Sequence, residues 1–278
     1  MGLILAIIIT VVFSACPAIA EPQKEIVVAE SPSGMVCVMK MKDAFRPGHS
    51  CLRRLVVSTK DQYGRKAEYI AGEAYKTFPD GKRMVLVMLE PKDVKGTTYL
   101  FSEQENRLGY WVYFPYIKRV RELTGIQAYD SLFGTEFTIS DIGLIPVPAE
   151  CELVEVTTYA GVKAYKVQEK VSGGGYYSRI ITWISTDSFL PLRRDYYDTA
   201  GRLWKTTFFQ EVTAINKIPM PLLIQMKDLQ SGYTTDLDIS NVVLDATVPD
   251  EFFDPTQLSK VADFPLWKDY TSQPTHGK

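Results

Sequence analysis

Short runs of alternating apolar and polar residues make up most of the chain, and this period of two predicts β-strands. The runs form two groups, at residues 52–123 and 152–244. Turn signals recur in them at intervals of roughly 8 to 15 residues, which is typical of antiparallel sandwiches and barrels. We expect one continuous antiparallel sheet of about eleven strands, which must curl because open twisted sheets rarely exceed ~10 strands.

One segment has a different period. Within residues 33–45, Met35, Val38, Met39 and Met41 lie close to helical spacing, and this predicts an N-terminal helix. The next three residues are Arg-Pro-Gly, a sequence that ends a helix. The chain is therefore expected to be mainly β with a few helices.

The start of the chain has the features of a targeting segment. Residues 3–15 are almost wholly apolar but too few to span a membrane, and an Ala-x-Ala cleavage site follows at residues 18–20. We expect a signal peptide at residues 1–20 and a secreted mature chain at residues 21–278. Alternatively, the sequence Phe-Ser-Ala-Cys is a weak lipobox, and processing there would leave a lipid anchor on Cys16.

Composition argues against several functions. The net charge of −2 gives no footprint for nucleic acid. The histidines are His49 and His276, and no G-x-S-x-G elbow or clustered His/Cys set accompanies them. We therefore expect no catalytic residues, no metal and no cofactor. Asp and Glu residues are plentiful enough to supply a carboxylate pair for glycoside hydrolysis, although no pair stands out. A secreted carbohydrate-active enzyme is therefore the weakest alternative.

Three cysteines remain in the expected mature chain, Cys37, Cys51 and Cys151. An oxidising compartment permits a disulfide, and an odd count leaves at least one thiol free. A Cys37–Cys51 bridge would staple the N-terminal helix to the first strand. Three buried thiols are the alternative, and the sequence does not decide between them.

A series of motifs follows the strands in a fixed order. An aromatic strand at residues 110–114 runs through a proline into a basic strand, and the stretch SLFGTEF follows at residues 131–137. Further motifs occur at residues 91–97, 183–192, 196–203, 221–226, 229–232 and 249–253. This order resembles the periplasmic outer-membrane lipoprotein-sorting family, the LolA/LolB-like group, from about residue 34 to residue 258.

The resemblance implies a strongly curved antiparallel sheet, a half-open β-barrel, closed by a helical lid. The lid would consist of the helix at residues 33–45 and the segment at residues 132–142. One carrier domain would span residues 21–278, with its core at residues 34–258 and a tail at residues 259–278. The implied function is a periplasmic carrier that binds acyl chains of a lipid or lipoprotein and passes them towards the outer membrane. An RND-type lipid exporter is the implied partner.

Candidate binding residues come from apolar side chains on the expected strands and lid. Aromatic rings offer large apolar surfaces, and methionines adapt to irregular ligands. The candidates for the cavity and lid are Met35, Met39, Met84, Leu86, Met88, Trp111, Tyr113, Phe133, Phe137, Trp183 and Phe208. Strand alternation places Trp111 and Tyr113 on one face, without indicating which face is concave.

Lys118, Arg119 and Arg121 are candidates for a patch that binds a head group or a partner. The alternative is an edge strand protected from aggregation by its charges. Alternation also places Lys118 opposite the two arginines.

A carrier needs only apolar walls and a movable lid. A second hypothesis is a non-catalytic structural or interaction module of the envelope, in which the same sheet encloses a filled core. The sequence does not distinguish free-lipid from lipoprotein cargo, because both need the same cavity.

Overall fold

Thirteen antiparallel strands pair into one sheet in the part of the chain described by the computed structural model, residues 31–104, 107–145, 148–171 and 175–271. The sheet is curved and does not close. The sequence-based expectation of about eleven strands was too low. The expected signal peptide and Cys16 lie outside the described residues.

The strands are β1 Ser50–Lys60, β2 Lys66–Phe78, β3 Gly81–Glu90, β4 Thr98–Gln104, β5 Arg107–Phe114, β6 Arg119–Leu123, β7 Glu150–Tyr159, β8 Val162–Lys170, β9 Tyr177–Ser185, β10 Pro191–Asp198, β11 Leu203–Ile215, β12 Ile218–Asp228 and β13 Thr234–Leu244. The α-helices are α1 Gly34–Phe45, α2 Ile139–Ile142, α3 Leu258–Val261 and α4 Lys268–Thr271. Short 3₁₀ turns occupy Gly125–Tyr129, Asp250–Phe253, Pro255–Gln257 and Pro265–Trp267.

The strand order is β6-β5-β4-β3-β2-β1-β13-β12-β11-β10-β9-β8-β7, so two meanders join through β1 and β13 at mid-sheet. The meanders end at β6 and β7, which are the two edges of the sheet. The connection from β6 to β7 must therefore pass from one edge to the other. This topology makes the connection a cover for one face.

The N-terminal helix forms as the sequence predicts. Ser33 caps it, with its hydroxyl accepting a hydrogen bond from the Val36 N–H at 3.3 Å, which satisfies one of the unpaired donors of the first turn. The helix ends at Phe45, before the Arg-Pro-Gly sequence. Its N-terminus lies tightly against β7, because a Cβ at Gly34 would come within 2.7 Å of the Glu152 backbone.

The two faces of the sheet carry separate apolar clusters. On β3, Met84, Leu86 and Met88 belong to one cluster, and Val85 and Val87 belong to the other. The alternation of side chains along a strand explains this division. Strands β1 to β5 therefore each contribute to two cores.

The first cluster lies on the concave face. α2 and the residue after it reach strands near both ends of the sheet. A Cβ at Gly143 would lie 2.4 Å from the Phe101 ring on β4, and Asp141 accepts a hydrogen bond from the Tyr177 hydroxyl on β9 at 2.8 Å. One short segment can contact such distant strands only from inside the curve.

The second cluster lies on the convex face, beneath residues 248–271, which we call the back segment. Phe252 and Trp267 stack there with ring centroids 5.8 Å apart. A Cβ at Gly72 would lie 2.4 Å from the Trp267 ring, so this close approach requires a glycine. Residues 259–271 were expected in a tail, but much of this stretch packs against the sheet, with Trp267 and Tyr270 buried.

Pro32–Lys278 form one compact unit. Within the described ranges, no helix combines the length and the hydropathy needed to cross a membrane.

Candidate functional site

The concave face is covered by two pieces of chain, α1 and residues 128–145, which together we call the lid. α1 packs against β7 and β8, and the second piece is the middle of the edge-to-edge connection. The lid side chains in the concave cluster are Cys37, Val38, Met41, Phe45, Ala128, Leu132, Phe137, Ile139, Ile142, Leu144 and Ile145. The lid therefore buries apolar side chains in the curve of the sheet.

Little space is left beneath the lid. A central cavity of about 30 Å³ is lined by Phe45, Arg46, Arg53, Leu55, Glu73, Phe137, Asp141, Ile142, Ile145, Arg194, Tyr196, Thr207, Phe209, Ile224, Leu237 and Ile239. A second space of about 130 Å³ adjoins it on the side of β9 and β10. A water needs roughly 10–15 Å³ by the same measure, so the central cavity has room for only a few small groups. The lid side chains fill the curve in this conformation.

A buried charge cluster lies in the wall formed by β1 and β2. Arg53 and Glu73 are cross-strand neighbours, and their closest nitrogen and oxygen atoms are 2.7 Å apart. Arg46 Nε lies 3.8 Å from the same Glu73 oxygen. All three side chains are nearly inaccessible to solvent. Two cations thus share one carboxylate inside the protein.

Arg46 also ties the lid together. It caps the C-terminus of α1, and its Nη2 donates a hydrogen bond of 3.0 Å to the carbonyl of Ile142, the last residue of α2. Helix C-termini have unpaired carbonyls that favour a nearby cation. Burial lowers the pKa of Arg46; Glu73 opposes this effect and Arg53 adds to it.

A second polar cluster lies opposite, on β8 to β10. Arg194 contacts both carboxylate oxygens of Glu169 at 3.3 Å, and the Thr182 hydroxyl donates to the same carboxylate at 2.8 Å. Nearby, the Tyr177 hydroxyl donates to Asp141 of the lid. Burial, with a contribution from Asp141, raises the pKa of Tyr177 well above its usual 10.0, so it remains a hydrogen-bond donor.

The rim at β11 to β13 holds the lid at Glu136. Lys205 Nζ donates to the Glu136 carbonyl at 2.6 Å, and the Glu136 N–H donates to the Thr235 hydroxyl at 2.9 Å. Burial raises the pKa of the Glu136 carboxyl to about 7, with Lys205 opposing and Asp228 reinforcing the shift. This carboxyl is therefore partly protonated near neutral pH.

Phe133 holds the lid on the opposite side. Its ring stacks on Tyr69 of β2 with centroids 5.7 Å apart, and the Tyr69 hydroxyl donates to its carbonyl at 3.1 Å. Phe133 and Gly134 have φ angles of +52° and +74°, a left-handed pair that turns the chain sharply back. The turn directs the aromatic ring towards the sheet.

The structure brings five predicted site residues together on the concave side: Met84, Leu86, Met88, Phe133 and Phe137. The two predicted site methionines of α1, Met35 and Met39, do not join this group. Met35 is half-buried, with its sulfur 3.9 Å from the Cys151 sulfur, and Met39 is 46% exposed. In this conformation Met39 faces away from the cavity.

Four predicted cavity residues lie on the convex face, which corrects the expectation for them. Trp111 and Tyr113 pack against the cluster beneath the back segment. Trp183 and Phe208 flank Arg193, their shared cross-strand neighbour, whose guanidinium carbon lies 5.0 Å and 5.7 Å from their ring centroids. The alternation pattern is the same whichever face is concave, so it could not decide their side.

The expected disulfide is wrong. Cys37 and Cys51 are both free thiols and both fully buried. Burial raises the pKa of Cys51 to about 11 and also raises that of Cys37. The alternative of three buried thiols describes the structure better, although Cys151 is only half-buried.

The three basic candidates lie at the outer edge of the sheet. Arg119 and Arg121 are exposed on the edge strand β6, and Lys118 is exposed in the preceding turn at a φ of +51°. They do not contribute to the cavity walls.

The buried charges were missed by the sequence analysis. On the inward face of β1, Arg53 lies between Cys51 and Leu55, and on β2 Glu73 lies between Ala71 and Tyr75. A charged residue at an inward position of an otherwise apolar strand was the sequence signal that could have predicted these buried charges. Within the described ranges, no three His, Cys, Asp or Glu side chains are grouped to hold a metal ion.

Comparisons with known proteins identify a family and solved structures with the same curved-sheet fold. Residues 80–260 match the model of a family described as "uncharacterized protein"-like. A DUF1329 family protein from Desulfovibrio piger has 26% identity and a TM-score of 0.74, over 81% of this chain and 97% of that one. A search of curated protein sequences gave no significant match.

Two further solved structures share the fold at lower identity. A putative outer-membrane lipoprotein-sorting protein domain from Vibrio parahaemolyticus has 18% identity and a TM-score of 0.75, over 81% of this chain and 98% of its own. A LolA superfamily protein from Nitrosomonas europaea has 19% identity and a TM-score of 0.65, over 80% and 98%. The chain therefore belongs to the DUF1329-like family matched over residues 80–260, and it resembles the LolA/LolB-like outer-membrane lipoprotein-sorting proteins.

Proposed function

We propose that the protein is a periplasmic carrier that binds acyl chains of a lipid or lipoprotein on the concave face and passes them towards the outer membrane. One observation carries the proposal: a largely apolar concave surface is covered by a lid that buries apolar side chains there and adds a small number of polar links. The lid segments come from outside the sheet, so they can leave it without breaking the strand pairing.

Cargo would take the place of the lid side chains. The cavity of about 30 Å³ is too small for an acyl chain, so Phe45, Phe137 and Ile142 must move outwards when cargo enters. An acyl chain gains about 0.8 kcal/mol for each CH₂ group removed from water. A long chain can thereby offset the lost contacts of these three side chains, and the exchange is close to balanced. A carrier requires such a balance because it must also release its cargo.

The lid contacts are suited to reversible opening. Arg46 to the Ile142 carbonyl, Tyr177 to Asp141, and Lys205 to the Glu136 carbonyl are polar links that water can replace after opening. A hydrogen bond contributes only about 0.5–1.5 kcal/mol net, or roughly 1.5–3 kcal/mol when a charge is involved.

The carrier is proposed to act without catalysis and to be delivered by the signal peptide expected at residues 1–20. Its proposed partner is an envelope transporter such as an RND-type exporter. The exposed hairpin between β5 and β6 is the proposed contact. Tyr116 is 96% exposed there, beside Lys118, Arg119 and Arg121. Tyrosine and arginine are both enriched in protein interfaces.

The small cavity favours one competing function, a structural module of the envelope with a filled core. Native mass spectrometry of the protein purified without detergent separates the two. We expect a stoichiometric acyl-bearing ligand, identified by solvent extraction. A ligand-free mass, with no later uptake of fluorescent fatty acid or phospholipid, would support the structural module.

A matched pair of variants tests the location of the ligand. Phe209 lines the cavity, and Phe208 lies next to it on the opposite face of β11; both are half-buried. We expect Phe209→Asp to weaken binding of the fluorescent lipid strongly, because it places a charge in the acyl path, and Phe208→Asp to leave binding nearly unchanged. Equal effects of both variants would contradict a concave binding site.

A further inference from the structure

The wall of the apolar cavity contains more positive than negative charge in one place. Arg46 and Arg53 approach the same oxygen of Glu73, and all three side chains line the cavity. Buried charges are normally balanced by a partner, because removing an unpaired ion from water is costly. This cluster carries one cation in excess of its carboxylate.

Arg46 is the cation that is less well paired. Arg53 donates to Glu73 from Nε at 2.9 Å and approaches it with a second nitrogen at 2.7 Å. Arg46 is only 4% exposed, yet its Nε makes no hydrogen bond. Its Nη2 donates to the Ile142 carbonyl and to the Met84 thioether, which is a weak acceptor. Buried polar groups rarely remain unpaired, so this one calls for a functional explanation.

Another side chain of the cavity wall offers a second donor. The Thr207 hydroxyl lines the same cavity and is 1% exposed; it interacts with the Tyr196 hydroxyl but has no partner in good hydrogen-bond geometry. A hydroxyl can donate to an anion, and so can a guanidinium. The cavity therefore presents unused donors beside an apolar surface.

We infer that Arg46, with Arg53 and Thr207, forms a subsite for the anionic head group of the cargo, a single carboxylate or phosphate on an acyl-chain amphiphile. The inference rests on the proposed carrier function and adds the chemical class of the cargo. The head group would accept hydrogen bonds from Arg46 Nε and Thr207 while the acyl chain lies along the apolar wall. Charge-assisted hydrogen bonds to guanidinium are about twice as strong as neutral ones.

Binding at this subsite also affects the lid. An anion bound side-on at Nε would also reach Nη2 and compete there with the Ile142 carbonyl, and an ionised oxygen is the stronger acceptor. Loss of that bond frees the C-terminus of α2. The head group thus weakens the contact that joins the two parts of the lid. Arg194, by contrast, already has Glu169 as its own counter-ion.

Three probes that share the same alkyl chain length and differ in their head group test the subsite: hexadecanoic acid, hexadecyl phosphate and hexadecanol. Each displaces a fluorescent lipid from the full mature protein in a competition titration. We expect wild-type protein to bind the two anionic probes about tenfold more tightly than the alcohol, the factor given by one net charge-assisted contact. Inorganic phosphate in large excess should not displace the lipid.

Variants assign the preference to Arg46. We expect Arg46→Gln to lose the preference and bind the acid and the alcohol equally, because loss of its bond to the Ile142 carbonyl affects both probes alike. Arg46→Lys should keep part of the preference. Arg54→Gln is the matched control, since Arg54 of β1 is equally buried but donates to the Tyr270 carbonyl on the convex side. It should keep the full preference.

The outcomes separate this inference from the carrier proposal. Equal binding of all three probes by wild-type protein would overturn the subsite and leave the carrier intact. Displacement by inorganic phosphate alone would replace the amphiphile with a free anion and overturn the inference. Binding of none of the probes would overturn both proposals. The wild-type comparison does not depend on the folding of any variant.

Discussion

The two faces of this sheet are both apolar, but they are covered in different ways. On the convex face, the back segment packs through aromatic rings: Phe252 lies against Phe264 with centroids 4.5 Å apart and stacks on Trp267. On the concave face, the lid adds polar links to its apolar contacts, through Arg46, Asp141 and Glu136. The back segment has polar links too, from Arg54 to the Tyr270 carbonyl and from Lys76 to Asp250, so the two covers differ chiefly in the amount of aromatic packing.

Under the proposed function, the concave face is the one that binds ligands. Dry aromatic packing has no good substitute in water, so the back segment stabilises the fold. Polar links can be exchanged for hydration at little net free energy. Variants on the two faces should therefore separate stability from binding.

The largest loss of stability is expected from a substitution on the convex face. Trp267→Ala should lower the free energy of unfolding by about 3–5 kcal/mol, because it removes a buried ring and leaves a void against Gly72. Urea denaturation measures the loss, and lipid titration below the transition should show unchanged affinity. A stable variant with altered affinity would place the ligand on the convex side.

The next effect is expected on the concave face. Phe137→Ala should lower the free energy of unfolding by about 3 kcal/mol, and it should also tighten lipid binding, because the ring occupies space that the acyl chain needs. The same two assays apply. A loss of stability with no gain in affinity would show that Phe137 does not compete with cargo.

Removing a single polar link of the lid should lower the free energy of unfolding by a smaller amount. Tyr177→Phe removes the hydrogen bond to Asp141 and should cost about 1–2 kcal/mol, with faster hydrogen exchange of the Ile142 and Gly143 amides. Tyr270→Phe is the matched control on the back, where the hydroxyl donates to the Asn241 carbonyl at only 3.4 Å. Unchanged exchange in Tyr177→Phe would remove this link from the lid mechanism.

The smallest expected effect depends on pH. Burial raises the pKa of Glu136 from 4.5 to about 7, so the docked lid binds a proton more tightly than the unfolded chain does. Its contribution is complete below pH 4.5 and is lost as the pH rises to about 7. Half-exposure of the side chain keeps the effect modest.

Hydrogen exchange of residues 131–138, corrected for intrinsic rates, should therefore show weaker protection at pH 8 than at pH 5. Lys205 and Asp228 are the charged groups that face Glu136. Glu136→Gln should remove the pH dependence, and Glu122→Gln, on the exposed edge strand, should retain it. A persistent dependence in Glu136→Gln would assign it to another group.

Local rules predicted the elements of this fold well. Ser33 caps α1 as a good N-cap residue does, and the Ala160-Gly161 turn has φ angles of +48° and +82°, suited to a two-residue hairpin. Alternation correctly grouped Trp111 with Tyr113 on one face of β5.

The features that the sequence did not predict depend on contacts between segments that are far apart in the chain. The concave side is identified by the lid on one face and by the back segment on the other, and these lie far apart in the chain. The Arg53–Glu73 pair depends on the register of β1 and β2, which places the two residues directly opposite each other. The free state of Cys37 and Cys51 likewise depends on the position of α1.

The junction of β1 with β13 has a consequence for the order of folding. Every other strand pair in the sheet joins neighbours in sequence, whereas this one brings residues 50–60 to residues 234–244. Pairings between distant segments form slowly because a long loop must close first. Each meander can form early, but the two are joined only after the last strand has been synthesised. Until then the apolar surface of β1 to β5 lacks its back segment, and a partly made chain exposes it to aggregation.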